Sequence, residues 1–100
     1  MCGIAGIAYN TLDPAQVRDQ IKKMNTVQNH RGPDADGVFH SNNISLGHTR
    51  LAIIDLSDLG KQPMLDTTKR YCITYNGEIY NYKELTNELK SYGFIFQGHS

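Results

Sequence analysis

The apolar run GIAGIAY at residues 3–9 constrains the fold most, because it is built mainly from small side chains. A surface strand would alternate apolar and polar residues, and an ordinary buried strand would carry larger ones. Glycines inside a strand often mark a place where another segment comes close to the backbone. We therefore predict a buried strand with a close neighbour. A chain of 100 residues is one small domain or a piece of a larger one.

Cys2 directly precedes this strand, and removal of Met1 would leave its thiol and a free α-amine on one residue. The reference pKa values of these groups are about 8.5 and about 8, so the amine can take the thiol proton near neutral pH. The thiolate is the attacking form, and an N-terminal amine can serve as its base. The alternative is that Cys2 is a small buried hydrophobic residue, the usual role of a free cysteine.

Composition excludes several classes of function. Ten basic residues balance ten acidic ones, so we expect neither a nucleic-acid nor a membrane partner. The apolar start is too short to cross a bilayer and lacks the features of a signal peptide, which predicts a cytoplasmic protein. Cys2 and Cys72 are then expected to be free thiols, with Cys72 a packing residue. The four histidines lack ligand spacing, so no metal site is predicted.

Asp13 and Pro14 form a helix start signal, with Asp13 as the N-cap and Pro14 in the first helical position. The helix is predicted to run to about Gln28. Its apolar residues at helical spacing should face the core: Val17, Ile21 and Met24. Gly-Pro at positions 32–33 then makes a loop. Its Arg31 and Asp34 form either a loop-stabilising ion pair or contacts to a substrate.

Short strand candidates follow at residues 38–40, 44–48 and 51–54, and their spacing is typical of an antiparallel meander. Residues 55–66 are predicted to form a loop, and residues 70–75 another strand. Asn-Gly at 76–77 is a strong hairpin signal. However, the helical spacing that follows, ending at a glycine suited to the C′ position, favours a strand-to-helix connection there. Residues 94–96 are predicted to begin a further strand.

An acyl-transfer site needs a nucleophile, a base, donors for the oxyanion and groups that hold the substrate. Cys2 with its own amine can supply the first two. The side-chain amide of Asn76 and the N–H of Gly77 can supply the donors. Arg50 can hold a carboxylate by two parallel hydrogen bonds, and Glu78 can accept a hydrogen bond from an amine or amide.

Five segments, taken in chain order, resemble the class II glutamine amidotransferase domain at the front of glutamine-dependent asparagine synthetases. They are MCGIAG at 1–6, HRGPD at 30–34, GHTRLAIID at 47–55, QPM at 62–64 and YNGEIYN at 75–81. The resemblance covers the whole chain. It implies an α+β fold, the αββα sandwich of antiparallel sheets of the N-terminal-nucleophile hydrolases. Residues 1–100 are expected to be the first, N-terminal part of that domain, without the rest of it.

The resemblance implies a glutaminase half-reaction, in which Cys2 attacks the side-chain amide of L-glutamine. Ammonia and then glutamate leave by way of a γ-glutamyl thioester. Arg50 would hold the α-carboxylate, while Asn76 and Gly77 would form the oxyanion hole. The remaining substrate contacts that the resemblance implies are backbone and wall contacts from four residues and a polar contact from a fifth: Leu51, Ala52, Ile53, Ile54 and Glu78.

No cofactor is expected in this domain. ATP and Mg are implied for a downstream synthetase domain that amidates aspartate with the ammonia. In the family, an aspartate that binds the glutamine α-amine follows directly after the segment equivalent to the last residues here, so the 100 residues alone are expected to be inactive. The alternatives are another ammonia acceptor, or a non-catalytic fragment or binding module. A homodimer is left open.

Overall fold

The computed structural model describes residues 2–52 and 58–96. Its elements in chain order are β1 (Gly3–Ala8), α1 (Pro14–Val27), β2 (Ala35–His40), β3 (Ile44–Arg50), a 3₁₀ turn (Asp58–Gly60), β4 (Met64–Leu65), β5 (Cys72–Ile73) and α2 (Tyr82–Ser91). All of the strands pair antiparallel. The predicted α+β class with antiparallel sheets is confirmed, and the arrangement fits the first half of an αββα sandwich.

The main sheet has three strands in the order β1-β3-β2, so β3 is the central strand. Gly3 of β1 lies opposite Thr49, and Ala35 of β2 lies opposite Arg50. The start of β1, the end of β3 and the start of β2 therefore meet at one end of the sheet. This register brings Cys2 and Arg50 to the same end of the sheet, although 48 positions separate them in sequence.

Helix α1 begins as predicted, because the Asp13 side chain accepts a hydrogen bond from the Ala15 N–H at 3.1 Å. Val17 and Ile21 are 0% exposed, which confirms them as core residues. Met24 is only half-buried. The helix ends at Val27, close to the predicted end.

The strand predicted to be buried over residues 3–9 is buried on one face only, since Gly3 and Ala5 are buried whereas Ile4 is 48% exposed. Its predicted close neighbours are the side chains of Gln28 and Thr49, which a Cβ at Gly3 would overlap.

The other two strands of the sheet have a close neighbour in the side chain of Asn25, which is 3% exposed. Its Nδ2 donates to the Gly37 carbonyl at 3.0 Å. A Cβ at Gly47 would overlap its Oδ1. A polar side chain on the buried face of a helix was not predicted, since apolar spacing alone marks that face. Asn25 can approach the sheet because Gly47 has no side chain.

Two strand predictions need correction. Residues 51–52 are not in a strand, because the Ala52 N–H donates to the Asp34 carboxylate at 2.8 Å. Residues 53–54 lie outside the described part of the chain. The strand predicted over 70–75 is confined to Cys72–Ile73 and pairs with Met64–Leu65, which was predicted to be loop. The Tyr71 N–H donates to the Asp66 carboxylate at 2.9 Å, a bond that closes the turn between the two strands and limits their length.

Helix α2 ends in the predicted glycine cap, with Gly93 at φ 92°. The Gly93 N–H donates to Lys90 O at 3.0 Å and the Phe94 N–H donates to Leu89 O at 3.1 Å, which is a Schellman motif. The strand predicted from residue 94 is wrong for residues 94–96, which are not in a strand, and the Phe94 N–H is still bonded to the helix end. Within residues 2–52 and 58–96, no helix has the length and apolar character of a membrane span.

We expect Asn25→Leu to destabilise the fold by about 1–3 kcal/mol, since it leaves the half-buried Gly37 carbonyl without its side-chain donor. Urea-induced unfolding of the protein measures this loss. The matched control is Gln20→Leu, which makes a similar change on the exposed face of the same helix and should stay within about 0.5 kcal/mol of wild type. Equal stability of the two variants would contradict a structural role for the Asn25 amide.

Candidate active site

The Cys2 thiol lies at the entry to β1, beside the turn that follows β3. The Leu51 N–H donates to Cys2 Sγ at 3.3 Å, and the Leu51 carbonyl oxygen lies 3.8 Å from the same sulfur. Cys2 is half-buried and its thiol is free. The main chain just after Arg50 therefore holds the sulfur in place, and part of the residue remains accessible.

Three side chains hold the backbone around Cys2, and we call Gln28, Arg31 and Thr49 the backbone clamp. The Gly3 N–H donates to Thr49 Oγ1 at 3.1 Å. Gln28 Nε2 donates to the carbonyl of Ile4 at 3.0 Å, and Arg31 Nε donates to the carbonyl of Cys2 at 3.4 Å. The end of α1, the loop after it and the central strand thus all fix the start of β1.

The clamp explains why residue 3 is glycine. A Cβ at Gly3 would overlap the Gln28 side chain and lie 2.6 Å from Thr49 Oγ1. The buried Thr49 hydroxyl also donates to the Gln28 carbonyl at 3.4 Å, which joins two members of the clamp. Sequence reasoning missed Gln28 and Thr49. The available signal was strand alternation, which puts Thr49 on the opposite face of β3 from Arg50.

Arg31 and Asp34 act separately, so the ion pair considered for them is not formed. Arg31 bonds to the Cys2 carbonyl, while the Asp34 carboxylate accepts from the Ala52 N–H. The Asp34 N–H also donates to the Arg50 carbonyl at 2.9 Å. A Cβ at Gly32 would overlap the Thr49 carbonyl. This loop therefore lies directly against the end of β3 and braces the chain on both sides of Arg50.

Arg50 is 7% exposed and His48 is 1% exposed, and alternation along β3 puts both on the face away from α1. A buried guanidinium is costly unless it is paired. Burial lowers the pKa of His48; the Tyr75 carbonyl opposes this effect and the neighbouring Arg50 guanidinium adds to it. His48 is therefore neutral at pH 7, which avoids placing a second positive charge beside Arg50.

The segment of residues 74–77, which carries Asn76 and Gly77, lies against the same face of β3. Thr74 Oγ1 donates to the Gly47 carbonyl at 3.0 Å, and His48 Nε2 lies 3.2 Å from the Tyr75 carbonyl oxygen. Asn76 is half-buried, whereas Gly77 and Glu78 are exposed. The connection between β5 and α2 is where the sequence predicted it.

The structure thus brings Cys2 and Arg50 to one end of the sheet. The segment that carries Asn76 lies against β3, the strand to which Arg50 belongs. Among the other predicted contact residues, Leu51 touches the Cys2 sulfur and Ala52 bonds to Asp34. Ile53 and Ile54 lie outside the described residues. Cys72 is half-buried in β5, and burial raises the pKa of its thiol, which is in keeping with a packing residue. Across the described residues, no group of three or more His, Cys, Asp and Glu residues is placed to hold a metal ion.

Comparison with known proteins shows the family to which this chain belongs. The family profile described as glutamine amidotransferase domain matches residues 1–100. Glutamine-hydrolyzing asparagine synthetase 1 of Bacillus subtilis is 46% identical over 103 residues, covering 100% of this chain and 16% of the relative. A putative glutamine-hydrolyzing asparagine synthetase 2 of Methanocaldococcus jannaschii is 45% identical, covering 85% of this chain and 20% of the relative.

Glutamine-hydrolyzing asparagine synthetase B of Escherichia coli is 36% identical over 97 residues, with 97% of this chain and 17% of the relative covered. The chain therefore spans a fifth or less of the length of these relatives. The profile match from end to end and the identities to full-length synthetases agree with each other. They show that the chain belongs to the glutamine amidotransferase domain family, in the branch found in asparagine synthetases.

Proposed function

We propose that this chain forms the glutamine site of an amidotransferase, with Cys2 as the nucleophile that attacks the side-chain amide of L-glutamine. The observation that carries the proposal is the placement of Cys2. Its backbone is held by the clamp, and its sulfur lies 3.3 Å from the first N–H after Arg50. The relatives are named as glutamine-hydrolyzing enzymes, which supports the same substrate.

The chemistry begins once Met1 has been removed and the Cys2 amine is free. The amine accepts the thiol proton as sulfur bonds to the amide carbon, and the carbonyl oxygen becomes an oxyanion. When the C–N bond breaks, the proton passes from the amine to the leaving nitrogen, and ammonia departs. Water then attacks the γ-glutamyl thioester, which returns the Cys2 thiol and releases glutamate.

Asn76 and Gly77 are proposed as the donors to the oxyanion, from the side-chain amide and the backbone N–H respectively. Arg50 is proposed to bind the glutamine α-carboxylate, and its burial strengthens that interaction because little water screens the charge. Glu78, exposed next to Gly77, would make a polar contact to glutamine. Residues 51–54 would contribute backbone and wall contacts to the substrate.

We further propose that the ammonia is used by a synthetase domain downstream of this N-terminal domain. ATP and Mg would act there, and aspartate would be the acceptor, as the names of the relatives suggest. The alternative acceptor is another carboxylate. The small share of each relative that the chain covers leaves ample length for such a domain.

An electrophilic glutamine analogue tests the nucleophile. We expect one covalent label per protein, located on Cys2 by mass spectrometry after digestion. The label should disappear in Cys2→Ala and persist in Cys72→Ala, which removes the other free thiol. Labelling of Cys72, or no labelling of folded protein, would favour a non-catalytic binding module.

Asn76→Ala should lower kcat for glutamine hydrolysis by about 10²–10³, the usual loss for one oxyanion donor, with little change in KM. Steady-state kinetics of the full-length protein provide the measurement. Asn87→Ala, an exposed asparagine on α2, is the matched control and should behave as wild type. A raised KM at unchanged kcat would instead assign Asn76 to ground-state binding.

Thr49→Val should lower kcat about 10-fold, because valine keeps the shape but leaves the Gly3 N–H without its acceptor and loosens the nucleophile. Thr49→Ser retains the hydroxyl and should stay close to wild type. The comparison requires both variants to be folded, which circular dichroism verifies. If serine and valine gave the same kcat, the hydroxyl would have no part in positioning Cys2.

A further inference from the structure

The segment of residues 74–77 is held to β3 in an unusual way. β3 already has strand partners on both of its edges, β1 on one side and β2 on the other. Residues 74–77 therefore cannot pair with β3 as another strand. They lie across the face of β3, where side chains must make the hydrogen bonds that a strand neighbour would otherwise supply.

Two side chains hold the backbone of Tyr75 itself. The Tyr75 N–H donates to Gln62 Oε1 at 2.6 Å, and the Tyr75 carbonyl oxygen lies 3.2 Å from His48 Nε2. Gln62 is in turn pressed onto β2, since a Cβ at Gly37 would overlap the Gln62 carbonyl. Tyr75 is therefore held between the central strand and a neighbouring strand, directly before Asn76.

The hydrogen bond fixes the tautomer of His48. A carbonyl oxygen can only accept, so Nε2 carries the proton and donates it to Tyr75. Because the ring is neutral, Nδ1 is an acceptor, and it is buried without a hydrogen-bond partner among the described residues. Burying an imidazole with one unpaired nitrogen costs free energy, so packing alone does not explain a histidine here. The hydrogen bond from Nε2 to Tyr75 is the interaction that an apolar side chain could not make.

We propose that His48 is a positioning residue for glutamine hydrolysis, whose Nε2–H orients the peptide that leads into the oxyanion donors Asn76 and Gly77. The peptide group is planar, so the direction of the Tyr75 carbonyl also sets the direction of the Asn76 N–H and the position of its Cα. Oxyanion donors act by being aimed beforehand at the place where charge develops. The inference rests on the proposed function.

The test compares His48→Gln with His48→Leu in the full-length protein. The glutamine amide nitrogen reaches about as far as Nε2 and can donate to Tyr75, whereas leucine has a similar size and no donor. We expect His48→Leu to lower kcat for glutamine hydrolysis by about 10-fold or more with KM within about 2-fold. His48→Gln should recover most of kcat. The rate at which iodoacetamide alkylates Cys2 should match wild type in both variants.

Wild-type kcat in His48→Leu, or equal losses in both folded variants, would overturn the inference. If His48→Leu fails to fold, Gln62→Met and Gln62→Glu provide the same test from the other side of Tyr75. Methionine removes the acceptor of the Tyr75 N–H and should lower kcat, glutamate keeps it, and equal kcat values would count against positioning. Wild-type protein without glutaminase activity would overturn the proposed function and this inference together. An active enzyme whose kcat does not change on substitution of His48 would overturn this inference alone.

Discussion

The hydrogen bonding of β3 at both edges is the constraint on which the rest of this structure depends. β1 and β2 occupy the two edges, so every other segment that reaches β3 must approach one of its faces. On one face lies α1, which can come close because Gly47 has no side chain and which is held by the Asn25 hydrogen bond. On the other lies the segment of residues 74–77, held by side chains. A central strand with side chains on two faces can thus join elements far apart in sequence.

The last three residues of β3, at positions 48–50, contact different parts of the candidate site from these two faces. Thr49 points to the α1 side and holds the backbone of the strand that follows Cys2, the proposed nucleophile. His48 and Arg50 are on the other side, with the segment that carries the proposed oxyanion donors. Because the side chains alternate along a pleated strand, one rigid element positions both the proposed nucleophile and the segment with the proposed oxyanion donors. Sites on such elements are held more precisely than sites on loops.

The buried polar groups follow from this geometry. Nonpolar side chains could fill the same space, but they could not orient backbone groups that lack strand partners. The clamp around Cys2 and the bonds to Tyr75 are therefore both made by polar side chains, of which Thr49 and His48 are buried. A neutral His48 avoids a second positive charge beside the Arg50 guanidinium.

The sequence by itself determined the helix cap at Asp13, the glycine end of α2 and the family to which the chain belongs, because caps and motifs depend on residues that are adjacent in the chain. It also predicted the small-residue strand β1, but not that one face of this strand is exposed. The sequence alone did not reveal that β4 pairs with β5, that Phe94 remains bonded to a helix end, or that Gln28, Thr49 and His48 hold the backbone of the candidate site. These outcomes depend on the register of strands distant in sequence, which decides which face each side chain occupies. Periodicity marks apolar faces, whereas a buried polar contact exists only once the partner strand is in place.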